Sequence, residues 1–302
     1  MRWPHMSPPW LHKAELRSSR EVGISLAISW ESMRICLRGH SPSHHLIPLV
    51  MFFPGSKGQQ LAFEIDSNQP ASRDIAILCH GMFCSRKTTL VTHLSEAVKI
   101  NTFRFDFSGN GDSRGEFTLA GFEREAAELK DAVVYCQSQG YRVVAIIGHS
   151  KAAQVVLVYS ALYGDVPIVV SLAPRFDMTG ENSILIPYLD EIDQKGFAMV
   201  THHKKEYRVT REMVAERRAV NMESYAQRVQ NWVLLLHCED DEVIPVANAY
   251  LFQVHLGERL MKLQLLPAGS HFFTGEAEQQ VVEAINEFLS QMVPIFNLRG
   301  TV

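Results

Sequence analysis

The sequence predicts an α/β fold with a mostly parallel central sheet, helices on both faces of the sheet and a helical cap inserted into it. From about residue 59 onward, short apolar segments of strand length alternate with longer amphipathic segments. This alternation is typical of parallel sheets covered by helices. Several of the short segments are apolar at every position, as expected for strands that are buried on both faces.

Seven segments fit strands, and the segments between them fit helices. The predicted strands are Leu61–Ile65, Ile75–Cys79, Thr102–Phe105, Val143–Ile147, Ile168–Leu172, Val233–His237 and Lys262–Leu266. The predicted helices are Thr88–Val98, Phe117–Gln139, Ala152–Leu162, Val246–Val254 and Glu278–Met292. In the second helix, Phe122, Ala126, Leu129 and Val133 recur at helical spacing opposite a glutamate-rich side. We expect that apolar side to pack on the sheet.

Residues 175–230 interrupt the alternation of strands and helices. This stretch is rich in charge, contains no convincing strand and fits short helices such as Ile184–Gln194 and Arg211–Val220. An insertion of about 55 residues is longer than ordinary connections in compact domains. We interpret it as a cap over the site, the alternative being a surface elaboration with no role there.

The α/β domain is predicted to span residues 59–295, preceded by an extension over residues 1–58. Up to Val50 this extension carries six Lys/Arg against three Glu, and it lacks the compact apolar core of a secretory signal. Three interpretations stay open: an organelle transit peptide, an extension without regular structure, or residues added by a mispredicted gene start.

Composition excludes several classes of function. The 302 residues are 46% hydrophobic and 21% charged, which is ordinary for a globular protein. The net charge of −4 comes without a strong basic block, which argues against a nucleic-acid partner. No apolar stretch approaches the ~20 residues that span a bilayer, so we expect no stable membrane insertion.

The five cysteines include no pair with zinc-ligand spacing, and we expect no metal site. They fit small buried side chains in a reducing compartment. We therefore expect an intracellular, cytoplasmic protein unless the extension directs it to an organelle. Cys84 lies near a proposed active-site loop, so a reactive thiol is an alternative there.

The segment Gly148-His149-Ser150-Lys151-Ala152 directly follows a predicted strand and precedes a predicted helix. This is the context of a nucleophile elbow, a sharp strand-to-helix turn that exposes a serine hydroxyl. The residues two before and two after the serine must be small because the turn is crowded. Gly148 meets this requirement, whereas Ala152 adds a methyl group where the common pattern has glycine. Ser150 is the predicted nucleophile.

The segment His80-Gly81-Met82 directly follows the predicted strand Ile75–Cys79. In acyl transfer, the tetrahedral intermediate carries an oxyanion that needs fixed N–H donors. One donor comes from the residue after the nucleophile and the other from a loop after an earlier strand. We therefore predict an oxyanion hole formed by the backbone N–H groups of Met82 and Lys151.

Two further motifs supply an acid and a base, each after a predicted strand. Asp241 lies in the loop after Val233–His237, and His271 follows the last strand. The chain order Ser150, Asp241, His271 is that of α/β-hydrolase triads. We expect His271 to act as the base and Asp241 to orient it. Asp240 and Asp177 are the alternative acids.

The other histidines have simpler interpretations. His80 is expected to hydrogen-bond within the site as a structural element, and His149 lies in the elbow and is not available as the base. His202 and His203 lie in the cap segment, where we expect them to be solvated.

The segment RFDFSGNGDSRGEF at residues 104–117 resembles the R-F-D-F-x-G-x-G-x-S-x-G-x-F segment of small α/β-hydrolase esterases. These include cinnamoyl and feruloyl esterase-like enzymes and proteins labelled serine aminopeptidase-like. The likeness extends to His80-Gly81, the G-H-S-K elbow and the cap segment at 206–210, and covers residues 59 to 292. It implies an esterase-type hydrolase with a helical cap and no cofactor. These relatives usually carry Gly-Gly where this chain has Ala152-Ala153.

The leading interpretation is a serine hydrolase that cleaves a carboxylic ester or thioester through an acyl-enzyme. Its partner would be a small ester or acyl substrate. One alternative is a homologue that binds a ligand or signals without hydrolysing it, and another is a different reaction on the same scaffold, such as C–C bond cleavage. A peptidase is a further, less favoured alternative, and the substrate and the oligomeric state stay open.

Overall fold

The computed structural model describes residues 50–180, 184–202 and 204–299. Its strands are β1 (Met51–Pro54), β2 (Gln60–Asp66), β3 (Asp74–Cys79), β4 (Asn101–Phe105), β5 (Arg142–His149), β6 (Ile168–Leu172), β7 (Phe197–His202), β8 (Lys205–Thr210), β9 (Trp232–Cys238) and β10 (Leu260–Leu266). Its α-helices are α1 (Thr89–Ala97), α2 (Phe122–Ser138), α3 (Lys151–Leu162), α4 (Leu189–Lys195), α5 (Arg211–Arg218), α6 (Met222–Ala226), α7 (Ala247–Leu256) and α8 (Glu276–Arg299).

The central sheet has eight strands in the order β1-β2-β4-β3-β5-β6-β9-β10. β2 is antiparallel to both of its neighbours, and the strands from β4 to β10 in this order are parallel. The predicted fold class is confirmed. Because the carboxyl ends of parallel strands meet at one edge, the loops after β3, β5, β9 and β10 come together there.

Both faces of the sheet are covered, which explains the continuously apolar strands. In β3, Ile75 and Ile77 belong to a core cluster built with α2, α3, α6 and α7. The alternate residues Ala76 and Leu78 belong to a second cluster built with α1 and α8. Since successive side chains of a strand point to opposite faces, the five residues from Ile75 to Cys79 all pack in one core or the other.

The sheet begins earlier than the sequence predicted. β1 pairs with β2 from Met51 onward, ahead of the predicted domain boundary at residue 59. β1 is a short edge strand that ends in Pro54, and proline is tolerated in a sheet mainly at its edge. Its shortness and its proline made β1 hard to recognise from the sequence. At the other end, α8 continues to Arg299, past the predicted limit at residue 295. The predictions for residues 1–49 lie outside the described residues.

The insertion between β6 and β9 is not purely helical, so the prediction of a cap without strands is wrong. β7 and β8 form an antiparallel pair beside α4 and α5. Ala198 and Val200 of β7 and Val209 of β8 are buried, while Met199 between them is exposed. This two-residue period marks strands with one buried face. The buried face packs in a cluster that includes Phe83 of the main domain.

Residues 106–117 of the glycine-rich segment form a structural loop after β4. Asp106 is fully buried and forms an ion pair with Arg86. Its carboxylate also accepts hydrogen bonds from the backbone N–H of Arg86 (2.6 Å) and of Asp112 (2.8 Å). A Cβ atom at Gly111 would lie 2.1 Å from the Asp106 carboxylate, so only glycine lets the loop wrap this closely around the acid.

Candidate active site

Ser150 occupies the sharp turn between β5 and α3. Its φ of 56° and ψ of −121° lie in a region that costs a non-glycine residue free energy. Its N–H donates to the Leu172 carbonyl oxygen at 2.9 Å, which holds the turn against β6. A Cβ atom at Gly148 would lie 2.1 Å from the Ala152 carbonyl oxygen. The turn therefore has the strained, crowded geometry that the sequence predicted for this segment.

The alanine at position 152 is compatible with this geometry. The atom that excludes a side chain at Gly148 is the carbonyl oxygen of Ala152, which every residue type at position 152 would carry. The methyl group of Ala152 is fully buried in the core cluster beneath α3. The turn thus requires glycine at position 148, whereas the methyl group at position 152 fills the core.

The structure brings together the three predicted residues of the triad. His271 Nε2 lies 2.9 Å from Ser150 Oγ, and His271 Nδ1 lies 2.8 Å from Asp241 Oδ2. His271 and Asp241 are buried, and Ser150 is half-buried. This is the geometry of a nucleophile linked to a base that is oriented by an acid.

The alternative acids lie elsewhere. Asp240 accepts hydrogen bonds from the backbone N–H groups of Gly269 (3.1 Å) and Ser270 (3.0 Å), so it fixes the loop that carries His271. Asp177 is exposed and bonds locally to the Thr179 hydroxyl at 2.6 Å. Neither carboxylate contacts His271 among the described hydrogen bonds and ion pairs.

The environment of Asp241 keeps it ionised. Burial would raise its pKa, but hydrogen bonds with His237 and His271 hold the pKa well below the usual range. Its other carboxylate oxygen accepts from the backbone N–H groups of Val243 (2.9 Å) and Ile244 (2.7 Å). An ionised carboxylate only accepts hydrogen bonds, so we assign the proton of His271 to Nδ1. Nε2 is then free to accept the proton of the Ser150 hydroxyl.

Sequence reasoning missed a second histidine that contacts this acid. His237 is fully buried at the end of β9, and its Nε2 lies 3.2 Å from Asp241 Oδ2 and 2.8 Å from the Ile244 carbonyl oxygen. Because both partners are acceptors, Nε2 carries the proton. The signal in the sequence was a histidine that ends an apolar strand, four residues before the acid.

The loop after β3 lies directly against the nucleophile. A Cβ atom at Gly81 would lie 3.1 Å from Ser150 Cβ, and the next residue, Met82, lines the same cavity as Ser150. Lys151 is the first residue of α3, and N–H groups in the first turn of a helix have no acceptor within the helix. Met82 and Lys151, which carry the two predicted oxyanion donors, thus line the same cavity as Ser150.

His80 fixes the loop after β3. The backbone N–H of Phe107 donates to His80 Nε2 at 3.1 Å, so the ring proton lies on Nδ1 and is donated to the Gly81 carbonyl oxygen at 2.8 Å. Burial is the main cause that lowers the pKa of His80, which keeps the ring neutral. This matches the structural role that the sequence predicted.

The side chain of Lys151 is bonded away from the nucleophile. Its Nζ donates to Glu125 Oε1 at 2.6 Å and to the Thr118 carbonyl oxygen at 2.7 Å. Both charged side chains are buried. The ion pair links α2 to the start of α3 and thereby holds the turn in place.

His149 is neutral and forms a hydrogen bond with the backbone of His271. Its Nε2 donates to the His271 carbonyl oxygen at 2.8 Å. Burial, and then the neighbouring charge of His271, lower the pKa of His149 to about 3.

The cavity above Ser150 is closed partly by the insertion, which contributes Met178, Ile184, His202 and Arg217 to its wall. His202 is half-buried in this wall and its ring lies 5.8 Å from that of Phe83, so it is partly solvated. His203 lies outside the described residues.

The described cysteines are buried and free. Cys84 lies in the cavity wall, and burial raises its pKa to about 11. Its thiol is therefore protonated at neutral pH, which contradicts the alternative of a reactive thiolate. Cys36 lies outside the described residues.

No group of three or more His, Cys, Asp or Glu side chains in the described part of the chain could hold a metal ion. No helix in residues 50–180, 184–202 or 204–299 is long and apolar enough to cross a membrane.

Comparison with known proteins places the chain in a family. A family model described as "Alpha/beta hydrolase family" matches residues 76–284. The chain belongs to the alpha/beta hydrolase family. A search of curated proteins gave no match to the sequence.

Solved structures with this fold include esterases. Est1E from Butyrivibrio proteoclasticus with bound ferulic acid is similar at a TM-score of 0.64 and 19% identity, over 81% of this chain and 99% of that chain. The Pyrococcus furiosus esterase Pf2001 gives a TM-score of 0.63 at 17% identity, over 80% of this chain and 90% of that chain. Alpha/beta hydrolase domain-containing protein 10 from mouse gives a TM-score of 0.60 at 17% identity, over 81% of this chain and 99% of that chain. At these identities the likeness establishes the fold.

Exchanging the small residues around the elbow tests which position needs glycine. We expect Gly148→Ala to abolish activity or folding, because its Cβ would lie 2.1 Å from a backbone oxygen. We expect Ala152→Gly to leave the turn intact and lower the free energy of unfolding by about 1 kcal/mol through helix propensity. Urea unfolding and titration with a serine-directed probe measure both effects. Full labelling of a folded Gly148→Ala variant would contradict this account.

Acid is expected to destabilise the fold through His149. Its pKa is about 3 in the folded protein against the ordinary 6.5. Between these values the unfolded chain binds a proton that the folded protein does not. The free energy of unfolding should therefore fall as the pH is lowered from about 6.5.

His149→Asn cannot take up this proton, and its amide can still donate a hydrogen bond. Urea unfolding at several pH values between 7 and 4.5 should show a shallower decline for this variant than for the parent. His93→Asn, at a half-exposed position, is the matched control for the substitution. Equal slopes in the parent and His149→Asn would refute the assignment.

Proposed function

We propose that this chain hydrolyses a carboxylic ester or thioester of a small molecule through an acyl-enzyme on Ser150. The observation that carries the proposal is the continuous hydrogen-bonded array from Ser150 Oγ through His271 to Asp241, with distances of 2.9 and 2.8 Å. The array opens into a cavity. Family membership and the esterases among the similar structures support the same reaction class.

In the first half of the reaction, Ser150 Oγ attacks the carbonyl carbon while its proton moves to His271 Nε2. The tetrahedral intermediate collapses when His271 gives this proton to the leaving alcohol or thiol, which leaves an ester on Ser150. A water molecule then takes the place of the alcohol, and His271 removes its proton in turn. The acid is released, and the proton returns to Ser150.

Asp241 is ionised at the start and stays so, because its hydrogen bonds favour the charged form. It holds the imidazole in the tautomer that leaves Nε2 unprotonated, and it stabilises the imidazolium that forms. His237 fixes the orientation of Asp241 from the other side. We expect the backbone N–H groups of Met82 and Lys151 to bind the developing oxyanion, and each such donor contributes on the order of 10²–10³ in rate.

The decisive comparison is between the parent and Ser150→Ala, assayed on nitrophenyl esters of increasing acyl length. We expect the variant to lose about 10⁶-fold in turnover, as when a triad nucleophile is removed. Ser270→Ala, at a neighbouring serine outside the array, is the matched control and should hydrolyse at the parental rate.

Equal hydrolysis by the parent and Ser150→Ala would assign the activity to another group. A folded parent that binds esters without turning them over would instead favour a ligand-binding homologue.

A further inference from the structure

Two buried arginines face the cavity that contains Ser150. Arg175 follows β6 and Arg217 lies on α5, and both line the cavity wall. Each residue is only 6% exposed. Charged side chains are rarely buried this deeply unless they are paired with an opposite charge.

The other buried cations in the described part of the chain have carboxylate partners. Arg86 pairs with Asp106, Arg104 pairs with Asp66, and Lys151 pairs with Glu125. These ion pairs offset the cost of removing the charges from water.

Arg175 and Arg217 form no ion pair with a described residue. Arg175 Nη2 donates to the Val243 carbonyl oxygen at 2.6 Å. Arg217 Nη1 donates to the carbonyl oxygens of Met178 at 3.2 Å and Gly180 at 3.5 Å. All three acceptors are neutral, and each guanidinium has five N–H donors. Most of their hydrogen-bonding capacity therefore has no partner among residues 50–180, 184–202 and 204–299.

The two positive charges also act on each other. Burial, and then the charge of Arg175, lower the pKa of Arg217 to about 10, so it is still protonated at neutral pH. Asp177 and Asp241 supply negative charge near Arg175, but Asp177 is exposed and bonded to Thr179, and Asp241 is bonded to His237 and His271. A further anion placed in the cavity would relieve the repulsion between the two arginines.

The backbone that carries Arg175 is fixed in place. Its N–H donates to Gln154 Oε1 at 3.3 Å, and the N–H groups of Phe176 and Asp177 both donate to Asn248 Oδ1 at 2.9 Å. Gln154 and Asn248 are themselves buried. Arg175, at the start of the insertion, is thus anchored to α3 and α7 of the sheet domain, while Arg217 lies on α5 within the insertion.

We propose that Arg175 and Arg217 bind a carboxylate carried by the substrate, so that the preferred ester has a negatively charged group in addition to its scissile bond. The inference rests on the proposed hydrolysis at Ser150 and names its substrate class. A planar guanidinium matches a carboxylate with two parallel hydrogen bonds. The carboxylate can belong to the acyl part, as in a dicarboxylic acid monoester, or to the alcohol part.

The test compares kcat/KM for matched anionic and neutral esters. Monoethyl succinate, glutarate and adipate place the charge on the acyl part, and butyrate esters of ω-hydroxy acids place it on the alcohol part. Neutral ethyl esters of equal length are the references. For the better series we expect a preference of about 10- to 100-fold for the anionic ester, as for charge-assisted hydrogen bonds in a desolvated site.

Arg217→Gln and Arg175→Gln should each lower the ratio of anionic to neutral kcat/KM by about tenfold or more, and Arg217→Lys should keep part of it. A merely structural role would lower both kcat/KM values together and leave the ratio unchanged. Arg218→Gln removes the same charge from the exposed neighbouring residue, so this control should keep the parental ratio.

Hydrolysis of neutral esters without a preference for either anionic series, or an unchanged ratio in Arg217→Gln, would overturn the inference and leave the proposed hydrolysis intact. If the parent hydrolyses none of these esters, adipate alone tests the arginines. A rise in Tm with adipate that Arg217→Gln loses supports the carboxylate site, and no rise in the parent refutes it.

Discussion

The positive φ of Ser150 is the constraint on which the rest of the site depends. An ordinary backbone at this position would continue β5 or begin α3 and would turn the hydroxyl away from the sheet edge. The strained turn persists because its surroundings determine it from several sides. The N–H of Ser150 donates a hydrogen bond to β6. Gly148 has no side chain that would clash with the first turn of α3. The ion pair of Lys151 with Glu125 links α3 to α2.

Three buried histidines form hydrogen bonds that fix the segments around Ser150. His80 holds the loop beside Ser150, His149 holds the backbone of His271, and His237 holds the acid. Each of these rings has a partner that fixes which nitrogen carries the proton. The base is therefore surrounded by hydrogen bonds of defined direction, and Nε2 of His271 is left to contact Ser150. A site held in this way needs little rearrangement when charge develops on the substrate.

The sequence predicted those features that follow from short-range patterns. Strands such as β3 and β5 were recognisable because both of their faces are buried, and the triad residues because each follows such a strand. β7 and β8 were not predicted because both strands are short and a charged turn separates them. Their alternation of buried and exposed residues depends on packing against the cluster that includes Phe83. His237, Arg175 and Arg217 were not predicted as site residues, because their contacts depend on how the acid loop and the insertion fold back over the sheet.

In the proposed reaction, Ser150 is the one serine that His271 activates. The most direct measurement is to treat the folded protein briefly with a fluorophosphonate and locate the adduct by tandem mass spectrometry of its peptides. We expect a single adduct on Ser150, and we expect His271→Ala to abolish it because the hydroxyl then has no base. An adduct on another residue, or one on Ser150 that forms equally fast without His271, would contradict the account.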